Sequence, residues 1–417
     1  MLMLVSGSVF GQQELSTHFM TNLPQAQQTN PAFMLEEKVS IGLPSLYMNY
    51  SNTGFSWKDG FRQGDDGSML FDLQPIVSEL GDHEVLQTQV QADWFRFSFG
   101  TENLRFNAYA ATKASAFVRY PRQLMELIWE GNEQFIGETV NVGPDFEALG
   151  YHEFAVGGAY KFEKIQLGIN LKYLKGIANV SSATHLAELS TGTADENYAL
   201  GIETSYMIQT AGVANSFPNI FGEGNTGLAV DVGMVYHIND KFQVALSATD
   251  LGAISWDSNL KHFSSQGSYS FDGIDIWDNL FDSTVTITEA IDSLGESLNF
   301  ETTNDGLYRS SLPTKVYMSG TFRPMEGLRV NALAYGEFYR GTFVPALALN
   351  ASKDFGKVFT GGVTYSVRNR SWGNVGIQGV LNLGPLRMFV MSDNIIGLVG
   401  FKGAKNASFR WGMNFQF

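Results

Sequence analysis

The last stretch of the chain, residues 406–417 (NASFRWGMNFQF), constrains the fold more than any other. Phe409, Trp411, Met413, Phe415 and Phe417 fall on one face of an extended strand, and Arg410, Gly412, Asn414 and Gln416 on the other. A period of two is the signature of a strand. A soluble core has no need of an aromatic row running to the chain end. A strand with lipid on one side and a polar interior on the other has that need.

The same alternation recurs, mostly in pairs joined by tight turns. Phe154, Val156, Gly158, Tyr160 and Phe162 give way at Glu163 and Lys164 to Ile165, Leu167, Ile169, Leu171 and Tyr173, which predicts a hairpin. Val230 to Ile238 turns through Asn239 and Asp240 into Phe242, Val244 and Leu246, and Phe95, Phe97 and Phe99 turn at residues 100–103 into Leu104 and Phe106. Further pairs are expected around residues 324–327, 352–357 and 384–385.

Between these turns lie long polar segments at residues 51–84, 120–150, 181–226, 256–312 and 393–405. Short turns at one end and long loops at the other are the pattern of an outer-membrane barrel. Starting upward from the periplasm at Val39, the count closes at about 14 strands provided that residues 196–209 form a non-spanning extension inside an extracellular loop. The predicted fold is therefore an all-β transmembrane antiparallel barrel over residues 38–417, preceded by an N-terminal periplasmic or plug segment at 12–37. Residues 1–11 read as a residual signal peptide that lacks its basic region, with cleavage expected before Gln12 or Gln13.

Composition narrows the function. With no Cys, disulfide scaffolds, thiolate metal sites and thiol nucleophiles are excluded. No apolar run reaches the length of a helical span. A net charge of −15 argues against a nucleic-acid partner, which would require a basic face. The six histidines are scattered without an i, i+4 pair, so no metal or cofactor is expected. Residues 222–227 match G-x-G-x-x-G literally but lead into a strand, so they read as a turn. No catalytic constellation emerges, and the chain is expected not to be an enzyme.

The inward-facing set is polar and mixed in sign: Arg96, Arg105, Lys172, Asp231, His237, Arg329, Glu337, Arg368, Arg387 and Arg410. Either these residues line a path or headgroup site, or they are paired charges filling the lumen, as any such barrel requires. Residues 120–132 (YPRQLMELIWEGN) carry helical spacing, with Pro121 suited to the first helical position and Gly131 to the end. This helix is expected either to fold inward as a constriction or to cap the outer rim. Residues 262–308 are acidic, lack Lys and are interleaved with Phe271, Trp277 and Phe281, which suggests a loop packed over the mouth or against a partner.

The element Thr29-Asn30-Pro31-Ala32-Phe33 before the first strand, and Thr249-Asp250-Leu251-Gly252-Ala253-Ile254-Ser255-Trp256 at a strand end, resemble the FadL-like outer-membrane barrels of Bacteroidota, in particular a family of uncharacterised function, and more distantly the PorV type of secretion barrel. The resemblance implies that Asn30 and Pro31 belong to a lumen plug. A terminal Phe likewise looks like the signal by which outer-membrane barrels are inserted, which would assign that role to Trp411, Phe415 and Phe417. The expected setting is the outer membrane of a Gram-negative bacterium. The expected partners are its lipids, a small hydrophobic ligand, the barrel-assembly machinery during insertion, and proteins bound through the extracellular loops. The function expected is passage or binding of a hydrophobic compound; the alternative is a non-transporting subunit of a secretion, assembly or surface-attachment complex. A general porin fits less well, because Tyr109, Tyr335, Phe389 and Met391 crowd the interior.

Overall fold

A computed structural model describes residues 15–56, 60–63, 68–72, 74–213, 224–271, 300–304, 306–368, 371–399 and 405–417. Fourteen strands close an antiparallel barrel. In chain order they are β1 (Val39–Gly42 continuing as Ser45–Asn52), β2 (His83–Gly100), β3 (Leu104–Pro121), β4 (Asp145–Phe162), β5 (Ile165–Thr191), β7 (Thr226–His237), β8 (Phe242–Trp256), β10 (Tyr308–Ser311 continuing as Thr314–Met325), β11 (Leu328–Tyr339), β12 (Thr342–Phe355), β13 (Phe359–Arg368), β14 (Ser371–Leu383), β15 (Leu386–Ser392) and β16 (Asn406–Gln416). Two further strands, β6 (Leu200–Ala211) and β9 (Lys261–Phe271), belong to an extension outside the wall. Closure is made by β1 against β16, with Ser40 opposite Gln416 and Leu46 opposite Trp411. A closed ladder satisfies every strand's backbone polar groups internally, which is what allows strands to stand in lipid.

The dyad sorts the side chains. Val156, Leu171, Leu347, Leu349 and Val363 point outward and are more than half exposed, while their neighbours Ala155, Asn170, Ala346, Ala348 and Thr364 point inward and are buried. Near the end that carries both Val39 and Phe417, the outer surface is ringed by Phe99, Phe106, Tyr160, Phe162, Phe242, Phe355 and Phe359. Exposed Phe338, Phe343 and Trp372 stand at the opposite end. Aromatic girdles flanking an aliphatic band are the exterior expected in a bilayer.

Several predicted loops contain strand. β5 has 27 residues, against the roughly 9–11 that span a bilayer. At about 3.3 Å per residue it runs on well beyond the membrane. Its distal half pairs with β6, which in turn pairs with β9, so much of 181–226 and of 256–312 is a sheet rising from the wall. Residues 200–211 are a non-spanning extension, and this keeps the strand number even. Tight turns are also not confined to one end: β11 and β12 are joined at the long-loop end through Arg340 and Gly341, at φ 46° and 71°. Two successive left-handed residues are the geometry of a tight hairpin turn that follows the strand twist.

The helix predicted over 120–132 spans Arg122–Glu130, and Pro121 is the last residue of β3 rather than the first of the helix. Gly131 ends it at φ 78°. Met125 and Trp129 pack with Phe55 against Ile76 and Leu80, so the helix sits on the rim beside the short helix Gln74–Glu79, not inside the lumen. Most of the acidic loop, residues 272–299 and 305, lies outside the described residues, as do residues 1–14, 222 and 223.

Candidate functional site

Residues 15–35 lie inside the barrel toward the end that carries Val39 and Phe417 and fill that part of the lumen. The helix α1 (Leu15–Phe19) and the 3-10 turn Pro24–Gln28 are buried throughout. Leu15 and Phe19 pack on Tyr317, Leu333 and Tyr335; Met20 and Leu23 on Val380, Phe389 and Met391; and Ala26, Ala32 and Phe33 on Val235 and Ala245. One short segment thus touches inward faces on opposite sides of the wall.

Polar contacts fix its register. The Leu15 and Ser16 amides donate to the Asp393 carboxylate at 3.2 and 2.6 Å. Gln25 and Asn414 exchange side-chain amide hydrogen bonds, and Ser247 donates to the Thr29 carbonyl at 2.5 Å. Asn30 donates to the carbonyls of Met234 and Leu246, while its Oδ1 accepts the Ala32 amide at 2.9 Å. Pro31 therefore sits in a bend closed by Asn30, and the bend lies against two glycines of the wall, Gly168 and Gly233. His18 is fully enclosed. Its ring stacks on Tyr317, Nδ1 lies 2.9 Å from Thr29 Oγ1 and Nε2 lies 2.8 Å from Ser319 Oγ. Thr29 uses its own hydroxyl proton on the Ala26 carbonyl, so His18 Nδ1–H donates to Thr29, and Nε2 accepts from Ser319. This is a neutral imidazole with both nitrogens satisfied, and burial pushes its pKa down to about 3.

Above this segment the interior is layered, and β4 runs through the layers. Its inward residues are, in order, Asp145, Glu147, Leu149, Tyr151 and Glu153, all buried. Glu153 belongs to a charge layer. Lys172 Nζ stands 2.6 Å from Asp250, 2.7 Å from Asp231 and 3.8 Å from Glu153, and Lys113 Nζ 2.9 Å from Glu153. Lys315 lies 3.7 Å from Asp250, giving three ammonium groups against three carboxylates. Asp250 reaches this position from a left-handed residue at φ 60°, at the point where the β7–β8 register shifts.

Leu149 and Tyr151 belong to an apolar layer with Leu174, Ala229, Ile254, Trp256 and Leu312. Trp256 is fully buried, and its indole N–H donates to Ser310 at 2.5 Å. Asp145 and Glu147 belong to the mouth. The tip of the β11–β12 hairpin crosses the lumen to meet them: Arg340 Nε donates to Asp145 at 2.9 Å, Nη1 to Glu147 at 3.1 Å, and Tyr339 Oη to Glu147 at 2.8 Å. Tyr339 also packs edge-on against Phe117 of the facing wall.

The residues picked out from the sequence fall into four groups. Asn30, Arg105, Arg387 and Arg410 touch or belong to the N-terminal segment: Arg105 donates to the Leu35 carbonyl at 2.5 Å, Arg387 contacts Glu37 and the Asn22 carbonyl, and Arg410 pairs with Asp93 at 3.0 Å beside Gln28. Asp231 lies in the charge layer, and Arg96 stacks over Tyr109 beside it at 4.1 Å. Arg329 pairs with Asp354 and Ser352 on the wall and lines a small space beside His18 and Phe33, and Arg368 is buried on β13. Trp411 and Phe417 are exposed on the outer face of the closing strand and its end.

Residues 31–393 match the profile of a family of unknown function (DUF5723). The chain belongs to that family. No curated protein matches it in sequence. Among solved structures it is similar to a FadL homologue of Pseudomonas aeruginosa (10% identity, 95% of this chain and 94% of that one, TM-score 0.46). It is also similar to a mutant of the TodX monoaromatic hydrocarbon channel (10% identity, 94% and 92%, TM-score 0.44) and to the toluene transporter TbuX of Ralstonia pickettii (10% identity, 95% and 94%, TM-score 0.42).

Sequence reasoning missed His18, Lys113, Asp145, Glu147 and Arg340. Asp145 and Glu147 fall in the stretch expected to be a loop, 120–150, which the structure instead shows as strand from Asp145, and no local spacing announces a partner from the opposite wall. Arg340 carried one usable signal, its place before Gly341 in a two-residue connection.

Proposed function

We propose that this family member is an outer-membrane barrel that binds and passes a small hydrophobic compound, with its long loops outside a Gram-negative cell and its N-terminal segment plugging the periplasmic half of the lumen. The observation that carries this reading is the apolar layer. The inner face of a transmembrane barrel is ordinarily polar. Leu149, Leu174, Ile254, Trp256 and Leu312 instead give an apolar interior at one level, between two charged levels. A hydrophobic solute gains there what it loses on leaving lipid, about 25 cal/mol per Å² of apolar surface. The plug is held by side-chain contacts without strand pairing, so it is the part of the lumen that can move without opening the wall.

The test is uptake of a hydrophobic fluorescent probe into liposomes carrying the full chain or a chain lacking residues 13–37. Faster uptake and a measurable conductance on deletion are expected; equal uptake by both, no greater than that of empty liposomes, would remove the transport reading. The extension built from β5, β6 and β9 favours a second reading, a barrel that anchors a surface or secretion complex. That reading expects stoichiometric protein partners after isolation from native membranes in mild detergent.

A further inference from the structure

We infer that the tip of the β11–β12 hairpin is a hinged closure of the mouth, fastened at Arg340 and able to lift away from β2, β3, β4 and β5. Strands on opposite sides of a barrel have no structural need to touch. At the mouth β11 nevertheless reaches β2, β3 and β4, just before a connection only two residues long turns it into β12. Arg340 holds a left-handed backbone at φ 46°, a conformation that disfavours side chains other than glycine. Its guanidinium is held across the lumen by Asp145, Glu147 and both the carbonyl and the hydroxyl of Ser182.

Three observations make the contact reversible rather than a permanent brace. First, it is mostly polar: beyond the Arg340 contacts and Tyr339 Oη, Gln87 donates to Glu337 at 2.6 Å, and such bonds exchange for water at little net change. Second, each carboxylate keeps a partner on its own wall. Arg119 reaches Asp145 at 3.2 Å, and Asn179 donates to Glu147 at 2.7 Å, so withdrawing Arg340 leaves Asp145 ion-paired and Glu147 hydrogen-bonded. Third, a cavity of about 340 Å³ already lies along the seam, with Gly341, Thr342 and Phe343 on the hairpin side and Thr53, Glu84, Val85 and Arg119 on the other. Lifting the tip widens a space that exists and exposes the apolar layer beneath it. As the way in for solute, this closure rests on the transport reading above; as a moving part, it does not.

The absence of Cys makes the test clean. A single reporter, Ala229→Cys, lies in the apolar layer below the tip, and a second, Thr321→Cys, lines a small space beside His18 and Phe33 at the far end. Labelling of each by a small uncharged maleimide is timed in the folded barrel, with Arg340 present and with Arg340→Ala or Arg340→Lys. The expected result is at least a tenfold acceleration at Ala229→Cys with Arg340→Ala, a smaller one with Arg340→Lys, and no change at Thr321→Cys. No acceleration at Ala229→Cys, or equal acceleration at both reporters, overturns the hinge. Acceleration at Ala229→Cys alone, with probe uptake no different from that of empty liposomes, leaves the hinge standing and removes the transport reading.

Discussion

Asn30 and Gly233 meet so closely that a Cβ placed on Gly233 would stand 2.0 Å from Asn30 Oδ1. The Asn-Pro-Ala bend is thus seated on a wall position that has to be glycine, and Gly168 plays the same part beneath Pro31 and Ala32, where a Cβ would come within 2.4 Å of the Ala32 nitrogen. Overpacking of this kind costs about 1–3 kcal/mol. Gly233→Ala should therefore loosen the N-terminal segment without unfolding the barrel. Limited proteolysis is the check: cleavage within residues 15–35 should rise several-fold while the barrel band stays intact.

His18 makes the seating of that segment depend on pH. Its pKa is about 3 when docked, below the ordinary 6.5 of an exposed imidazole. The undocked segment therefore takes up a proton first as pH falls. The contribution is fully present above about pH 6.5 and weakens by about 1.4 kcal/mol per pH unit down to about pH 3. Between pH 7 and pH 4.5 protease release of the segment should increase in the native chain and change less in His18→Gln. Identical profiles would show that the docked ring is not the titrating group.

Lys172 stands within 4 Å of three carboxylates, and removing it takes away the buried cation that pairs with Asp231. Lys172→Met should lower barrel stability by about 3–5 kcal/mol, the usual penalty for breaking a buried ion pair from one side. Lys315→Met should cost much less, because its side chain is 19% exposed and its distance to Asp250 is 3.7 Å. Urea titration of the folded barrel in micelles compares the two directly.

On the outer face, Ile169 is exposed midway between the girdles. Ile169→Arg should destabilise the bilayer-inserted barrel by about 2–4 kcal/mol, while Asn170→Ser, one residue away and facing inward, should leave lipid insertion unaffected. Reversible folding into vesicles distinguishes them.

The C-terminal aromatics carry a kinetic prediction. Removing Phe417 should slow insertion by the assembly machinery while changing the stability of the finished barrel little, because Phe417 lies beyond the end of β16 and is largely exposed. Equal insertion rates in a reconstituted assembly assay would dismiss the proposed signal.

The wall was legible because lipid imposes a rule on every spanning residue in turn. Phe95, Phe97 and Phe99 could only point one way once Arg96 and Ser98 pointed the other. The lumen obeys no such local rule. Asp145, Glu147 and Leu149 lie in a stretch expected to be loop, and their division with Tyr151 into a fastening and an apolar layer depends on Arg340 and Trp256, more than a hundred residues away. The polarity of the interior misled for the same reason: an inward Leu reads as an irregularity until its neighbours on other strands are also Leu, Ile or Trp. The bounds of the loops were misjudged because β5 continues past the membrane with β6 as its partner, where lipid no longer enforces outward apolar residues.

The Gln25–Asn414 amide pair joins residues 389 apart. The strand β16 supplies Asn414, Arg410 and Gln416 to the N-terminal segment and also closes the wall against β1. Sealing of the cylinder and seating of its occupant are therefore tasks of one strand. A barrel with β16 unpaired has an open seam and loses these anchors of the segment at once.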